Sequence, residues 1–106
     1  MIFIAITAND ETRNFIDAAK IAKMKNGVIL VNPARPSLVA PDALLGALKS
    51  GKIQTMAQDG YYDDRPEFAE LAPDKFIATP HQGNRTAEAR DAVDMKAIQN
   101  IIDFFN

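Results

Sequence analysis

The sequence predicts an α/β fold in which a parallel sheet is flanked by helices, and two observations lead to this prediction. Short apolar runs alternate along the chain with segments of helical periodicity. The apolar runs are continuous, which is typical of strands that are covered on both faces. Alternating units of this kind imply helical crossovers between parallel strands. No repeat or linker divides the 106 residues, so we expect a single domain over residues 1–106.

The first third of the chain contains two predicted strands and the helix between them. The run IFIAI at residues 2–6 predicts the first strand. Asp17 can cap a helix over residues 18–24, and Gly27 is the natural end of that helix. The β-branched run VILV at residues 28–31 predicts the second strand.

The middle of the chain predicts a helix and two more strands. Pro41 suits the first turn of a helix that ends at Gly51. Apolar runs at residues 53–57 and 76–79 predict the third and fourth strands. A short helix over residues 67–71 is expected between them.

The last segment, residues 86–105, has the strongest helical period in the chain. Its apolar residues fall on two adjacent stripes, formed by Val93, Ala97, Ile101 and Phe104 and by Met95, Ile98, Ile102 and Phe105. Two adjacent stripes give a wide apolar face.

The composition excludes several classes of function. The net charge of −2 leaves no basic excess to neutralise phosphates, which argues against a nucleic-acid partner. The absence of cysteine excludes disulfides, thiolate metal sites and cysteine nucleophiles, and we predict no metal site. No apolar run approaches the roughly 20 residues of a membrane span, so we expect no membrane partner and a cytoplasmic protein.

Ligand chemistry in parallel α/β sheets takes place in the loops that follow the carboxyl ends of the strands. Those loops contain Arg35 after the second strand, Asp59 and then Asp64 after the third, and His81 after the fourth. A histidine can move a proton near neutral pH, and a carboxylate bonded to its ring raises its pKa. An arginine grips a substrate carboxylate with two parallel donors. Together these groups would bind a 2-oxo acid and transfer a proton to or from its oxygen.

Each residue also has an ordinary structural explanation. His81 can be a plain loop residue, and Arg35 can lie on the surface or pair with a nearby acid. Asp59 can cap a turn with Gly60, and Asp64 can be solvated loop charge. The joint placement at successive strand ends favours a site.

Several segments resemble the D-isomer-specific 2-hydroxyacid dehydrogenases. They are ETRNFID at residues 11–17, MKNGVILVNPAR at residues 24–35, ALLGALKSGKI at residues 43–53, Asp59, and TPHQG at residues 79–83. The resemblance follows the family's order and spacing along nearly the whole chain. It implies that residues 1–106 form the C-terminal half of an NAD(P)-binding Rossmann domain, with a partial Rossmann-like parallel sheet.

The resemblance also implies roles for individual residues. Arg35 would bind the substrate, His81 would be the catalytic acid/base, and Asp64 would pair with that histidine. The positions that would meet the cofactor are Thr7, Pro33, Ala34, Arg35, Asp59, His81 and Gly83. The implied cofactor is NAD, with NADP not excluded. In the family, hydride passes between NAD and the C2 atom of a small 2-hydroxy or 2-oxo acid.

The sequence departs from the family's pattern at four positions near these residues. Pro36 stands where the family usually has glycine, and Gly60 where it prefers a bulkier apolar residue. Thr7 replaces a common proline. Asp64 is one methylene shorter than the family's glutamate, and Arg65 beside it is a competing partner.

The largest departure is that the 106 residues contain no G-x-G-x-x-G run, the family's phosphate loop. We therefore expect the chain to self-associate or to need a missing companion segment, because a half sheet leaves an edge and apolar faces uncovered. Two functions stay open: a fragment of an NAD-dependent dehydrogenase, or a truncated, non-catalytic relative that dimerises or binds a partner. An unrelated flavodoxin-like signalling domain is the least supported alternative. It needs an acidic cluster after an early strand, and the sequence has none; the nearest candidate is NDE at residues 9–11.

Overall fold

A computed structural model describes residues 1–82 and 86–105, and their strands form one sheet in the order β1-β2-β3-β4. The strands are β1 (Ile2–Phe3), β2 (Val28–Asn32), β3 (Ile53–Asp59) and β4 (Phe76–Thr79). All three pairings are parallel. The predicted α/β fold with a parallel sheet is therefore confirmed.

Helical segments follow each of the four strands. They are α1 (Ala18–Lys23), α2 (Pro41–Ser50), α3 (Ala87–Phe105) and two 3₁₀ turns at Pro36–Leu38 and Pro66–Leu71. The short helix expected over residues 67–71 is thus the second of these 3₁₀ turns. No helix within the described ranges is both long and apolar enough to cross a membrane.

Local chemistry explains where the helices begin and end. The side chain of Asp17 accepts a hydrogen bond of 2.9 Å from the backbone N–H of Lys20, so the predicted cap of α1 is confirmed. Gly51 ends α2 in the left-handed conformation, with φ of 82°. Gly27 does not end α1, which stops at Lys23; with φ of 73° it turns the chain into β2 instead.

Two strands differ in length from the sequence prediction. β1 ends at Phe3 instead of residue 6, although the N–H of Ile4 still donates to the carbonyl of Val31 at 2.9 Å. β3 extends two residues beyond the predicted end, because Asp59 pairs with Thr79 of β4.

The core lies on one face of the sheet. A row of directly paired residues crosses this face from β1 to β4: Ile2, Leu30, Met56 and Phe76. Ile21 of α1 and Leu44 and Leu48 of α2 pack into the same hydrophobic cluster. The helices α1 and α2 therefore pack on this face of the sheet.

The opposite face of the sheet is open. Its matching row of paired residues is Phe3, Val31, Ala57 and Ile77. Phe3 and Ile77 are exposed, and Val31 and Ala57 are half-buried. The continuous apolar runs predicted strands covered on both faces, and within the described residues only one face is covered.

Candidate functional site

The turn after β2 is held by a buried asparagine. Asn32 is fully buried; its Nδ2 donates to the carbonyl of Arg35 at 2.7 Å, and its Oδ1 accepts from the N–H of Ala34 at 3.1 Å. Both ends of the amide are therefore used to fix the backbone that carries Arg35. Asn32 was not predicted to have a role. The signal that could have revealed it is a polar residue directly after an apolar strand.

The guanidinium of Arg35 is held close to its own turn and remains exposed. Its Nη1 donates to the carbonyl of Ala34 at 2.8 Å. Within residues 1–82 and 86–105, no carboxylate forms an ion pair with it. A group of this kind suits an incoming carboxylate.

Arg35 lines an open depression of about 430 Å³ beside the turn. Arg13 and Asn14 line its other side, together with Tyr61 and Asp63 from the loop after β3. Arg13 and Asn14 were not predicted as site residues, although their loop follows the predicted first strand; that position was the signal that could have found them. The acidic residue on this depression is Asp63, adjacent in sequence to the expected Asp64.

The ends of β3 and β4 are tied together by Asp59. Its Oδ1 accepts from the Oγ1 of Thr79 at 2.6 Å and from the N–H of Gln82 at 2.8 Å. The N–H of Gly60 donates to the carbonyl of Thr79 at 2.8 Å. Asp59 is half-buried. These bonds fix the backbone that leads into His81.

The ends of β2 and β3 meet through Pro36 and Gly60. Gly60 has φ of 132°, and a Cβ atom there would lie 2.9 Å from the Cγ of Pro36. Only glycine fits this conformation and this space. The two departures from the family pattern are therefore neighbours in space. The ring of Pro36 lies beside Gly60, which has no side chain.

His81 and Asp64 both lie on exposed loops with left-handed backbone. Their φ angles are 53° and 54°, and the third described residue other than glycine with positive φ is Asn14, at 53°. All three belong to the loops at this edge of the sheet. No hydrogen bond or ion pair joins His81 to Asp64 among the described residues. Residues in this backbone region carry strain and concentrate at functional sites.

Arg65 does not pair with Asp64. Its Nη2 lies 2.7 Å from Oδ1 of Asp42, and its Nε lies 3.4 Å from Oε2 of Glu67. The hydrogen bond that Arg65 donates to Asp42 raises the pKa of Arg65 above its usual value. Arg65 thus ties the loop after β3 to the start of α2, and Asp64 is left beside it on the surface.

The remaining predicted cofactor positions that the structure describes are Thr7, Pro33 and Ala34. Thr7 is exposed, and its carbonyl accepts from the Oγ1 of Thr12 at 2.7 Å. Pro33 is exposed and Ala34 is half-buried in the turn after β2. Gly83 lies outside the described residues.

The residues at this edge suit one end of a dinucleotide. A half-buried carboxylate, Asp59, and an exposed guanidinium, Arg35, stand at adjacent strand ends, where a polar ring and a small acid can be received together. The backbone donors that usually hold a pyrophosphate need a glycine-rich turn at a helix N-terminus, and the printed sequence has none.

A parallel sheet with helical crossovers and with its polar groups gathered at the carboxyl ends of the strands is typical of nucleotide-binding α/β proteins. Residues 1–83 match the family model described as "D-isomer specific 2-hydroxyacid dehydrogenase, NAD binding domain". The chain belongs to this family and is of the NAD-binding D-2-hydroxyacid dehydrogenase type. NAD is the cofactor of that domain.

Relatives of known function agree with this assignment. A D-3-phosphoglycerate dehydrogenase of Methanocaldococcus jannaschii is 40% identical over 86% of this chain and 18% of its own length. A hydroxypyruvate reductase of Thermotoga maritima is 36% identical over 94% of this chain and 34% of its own length. The chain thus spans a third or less of most of the curated relatives it matches.

Solved structures show the same fold. D-mandelate dehydrogenase of Rhodotorula graminis superposes with a TM-score of 0.82 and 28% identity, covering 93% of this chain and 29% of that one. D-lactate dehydrogenase of Aquifex aeolicus, solved with NAD and lactic acid, gives 0.80 and 26%, covering 97% and 36%.

Proposed function

We propose that residues 1–106 are the C-terminal half of the NAD-binding domain of a dehydrogenase that interconverts a small 2-hydroxy acid and its 2-oxo acid. The observation that supports this most is the connection between strand ends. Pro36 touches Gly60, and Asp59 bonds Thr79 and Gln82, so the loops of Arg35 and His81 leave one edge of the sheet as a connected unit.

Arg35 is proposed to bind the carboxylate of the substrate. Its backbone is fixed by the buried Asn32, and its guanidinium has no carboxylate partner within the described residues. Two parallel N–H donors then orient the acid so that its C2 atom faces the cofactor. NAD, when bound, supplies or accepts the hydride at that carbon.

His81 is proposed to hold and move the proton of the C2 oxygen. In the reducing direction the imidazolium donates its proton to that oxygen, and in the oxidising direction the neutral ring accepts it. Asp64 is the proposed partner that stabilises the charged imidazole. Both side chains are exposed on adjacent loops. Catalytic hydrogen bonds are often long in a ligand-free structure and tighten when the substrate is bound.

The proposed cofactor contacts are Thr7, Pro33, Ala34, Asp59 and Gly83, with Arg35 and His81 beside them. Asp59 is the best placed of the described ones, because its carboxylate is half-buried at the end of β3. A second proposal is a non-catalytic module that dimerises or binds a companion segment. It is favoured by the absence of a hydrogen bond between His81 and Asp64 among the described residues.

The proposal is tested by comparing the binding of three ligands. Reduced nicotinamide mononucleotide carries only the half of NADH that the residues of this chain fit. We expect it to bind about as tightly as NADH, while adenosine diphosphate does not bind. The chain has no tryptophan, so nicotinamide fluorescence can be followed without an indole background.

Two variants show where the ligand sits. Asp59→Asn should weaken binding of both reduced nicotinamides, because it removes the carboxylate charge while keeping the side chain's shape. Lys49→Ala, on the exposed side of α2, is the matched control and should leave binding unchanged. If neither nicotinamide binds at millimolar concentration, the dehydrogenase proposal fails for this chain and the non-catalytic module stands.

A further inference from the structure

An aromatic cavity of about 250 Å³ lies beside β4, lined also by the 3₁₀ turn at Pro66–Leu71 and by the loop after β3. Four of its lining residues are aromatic: Tyr61, Tyr62, Phe68 and Phe76. The ring centroids of Tyr62 and Phe68 are 4.9 Å apart, and those of Phe68 and Phe76 are 4.8 Å apart. Three of the four rings therefore form one continuous aromatic wall.

The cavity has room for a ring because the other apolar residues that line it are small. They are Ala69, Ala72 and Ala78. A dry apolar cavity of about 150 Å³ already accommodates a benzene ring, so the larger volume here has room for one ring or two fused rings. The side chain of Tyr61 is 58% exposed, and a ring bound beside it covers apolar surface that now faces water.

The chemistry of the lining favours a ligand without charge. The hydroxyl of Tyr62 already donates to the carbonyl of Val39 at 3.0 Å, and burial raises the pKa of Tyr62 above its ordinary value, so this side chain stays neutral. Arg65, the charged residue on the lining, is already paired with Asp42 and Glu67. An ionic ligand would lose hydration here without gaining an unpaired partner.

The aromatic cavity and the depression beside Arg35 share one loop. Tyr61 and Tyr62 line both of them, and Asp63 of the same loop lines the depression. A ring that stacks on these tyrosines therefore contacts the segment that joins the two spaces. Contacts of this kind reduce the freedom of an exposed loop.

We propose that the aromatic cavity binds an uncharged, planar aromatic molecule of one ring or two fused rings, and that the bound molecule restrains the loop of residues 61–65. The loop also carries Asp64. The ligand then controls how readily Asp64 pairs with His81, a last step that rests on the dehydrogenase function proposed above.

Indole is a suitable probe for this site. The chain has no tryptophan, so the indole emission comes from the ligand alone. We expect saturable binding with a dissociation constant of roughly 1 mM or tighter, and an emission maximum that moves to shorter wavelength.

Two variants locate the bound indole. Ala69→Leu puts a larger side chain into the cavity, and Tyr61→Ala removes an exposed aromatic wall; each should weaken binding by about tenfold or more. Ala19→Leu, the same substitution on the exposed side of α1, is the matched control and should bind indole as the wild-type chain does. Circular dichroism confirms that all three variants are folded.

Indole-3-acetate tests the chemical class, because it adds a carboxylate to the same ring. It should bind at least severalfold more weakly than indole. Tighter binding of indole-3-acetate would show that Arg65 is free to receive an anion, and this overturns the uncharged class.

Hydrogen exchange tests the restraint on the loop. Saturating indole should slow exchange of the amides in residues 61–65 and leave those of α1 unchanged. Absence of saturable binding, or binding that neither Ala69→Leu nor Tyr61→Ala weakens, overturns the site. Binding without protection of the loop overturns the restraint. None of these measurements contains a nicotinamide, so their failure is separate from a failure of the dehydrogenase proposal.

Discussion

Pro36 and Gly60 share a space that does not accommodate a side chain at both positions. The Cβ position of Gly60 lies 2.9 Å from Cγ of Pro36, and φ of 132° is a conformation that L side chains rarely adopt. Resemblance to the family marked each residue as a separate departure. The structure shows that the two residues are neighbours, with the ring of Pro36 beside the backbone of Gly60.

This coupling can be measured by a double-mutant cycle. Gly60→Ala should lower the free energy of unfolding by about 2 kcal/mol or more, from backbone strain and from contact with the proline ring. Pro36→Gly should cost less than about 1 kcal/mol. In the double variant the contact is relieved while the strain remains, so the two effects should be non-additive by about 1 kcal/mol. Urea unfolding gives all four values, and strict additivity contradicts the contact.

At the residue scale, the sequence predicted which chemical groups gather at the sheet edge and could not predict how they are held. The strand pattern was enough to place Arg35, Asp59 and His81 at successive strand ends. The bonds of Asn32 to the turn depend on which face of β2 is covered. The pairing of Arg65 with Asp42 joins residues far apart in sequence, which no local pattern reveals.

At the element scale, the start of α1 depends on a titratable group. The hydrogen bond from the backbone N–H of Lys20 holds the pKa of Asp17 below its ordinary value of 3.8. The folded pKa is thus lower than the unfolded one. The capping contribution is therefore fully present above about pH 4 and is lost as the pH falls through the folded pKa.

Hydrogen exchange on α1 checks this sign. The amide of Ile21, which donates to the carbonyl of Asp17, should lose protection as the pH falls below 4, after correction for intrinsic exchange rates. Asp17→Asn keeps a capping oxygen without its charge, so its protection should be independent of pH in this range. Protection that falls equally in both proteins would assign the effect to another group.

Periodicity predicted the order of strands and helices correctly, and local chemistry predicted some of their ends. Helix α2 begins at Pro41 and ends at Gly51 as expected, since each residue sets the helix end through its own backbone conformation. β1 is shorter than its apolar run because within the described residues it pairs on one side only, with β2. The extra length of β3 comes from its pairing with β4. Strand ends set by a neighbour are not visible in a single segment.

On the scale of the whole molecule, the apolar composition of the strands exceeds what one copy buries. Continuous apolar runs predicted two covered faces, and the structure covers one. Val31 and Ala57 lie on the side that one copy leaves open. The pattern therefore carries information about a surface that the described residues leave open. If the expected self-association covers that surface, stability of the fold and association of copies are two parts of one equilibrium.

That equilibrium makes thermal stability depend on protein concentration. Each tenfold increase in concentration adds about 1.4 kcal/mol per mole of dimer, so the unfolding midpoint of the wild-type chain should rise by a few degrees. Ile77→Lys places a charge on the open sheet face and should prevent its burial by association, so its midpoint should be lower and independent of concentration. Scanning calorimetry at three concentrations measures this. A wild-type midpoint that does not move with concentration would mean that the fold is stable without its second copy and that the open face contributes nothing to its stability.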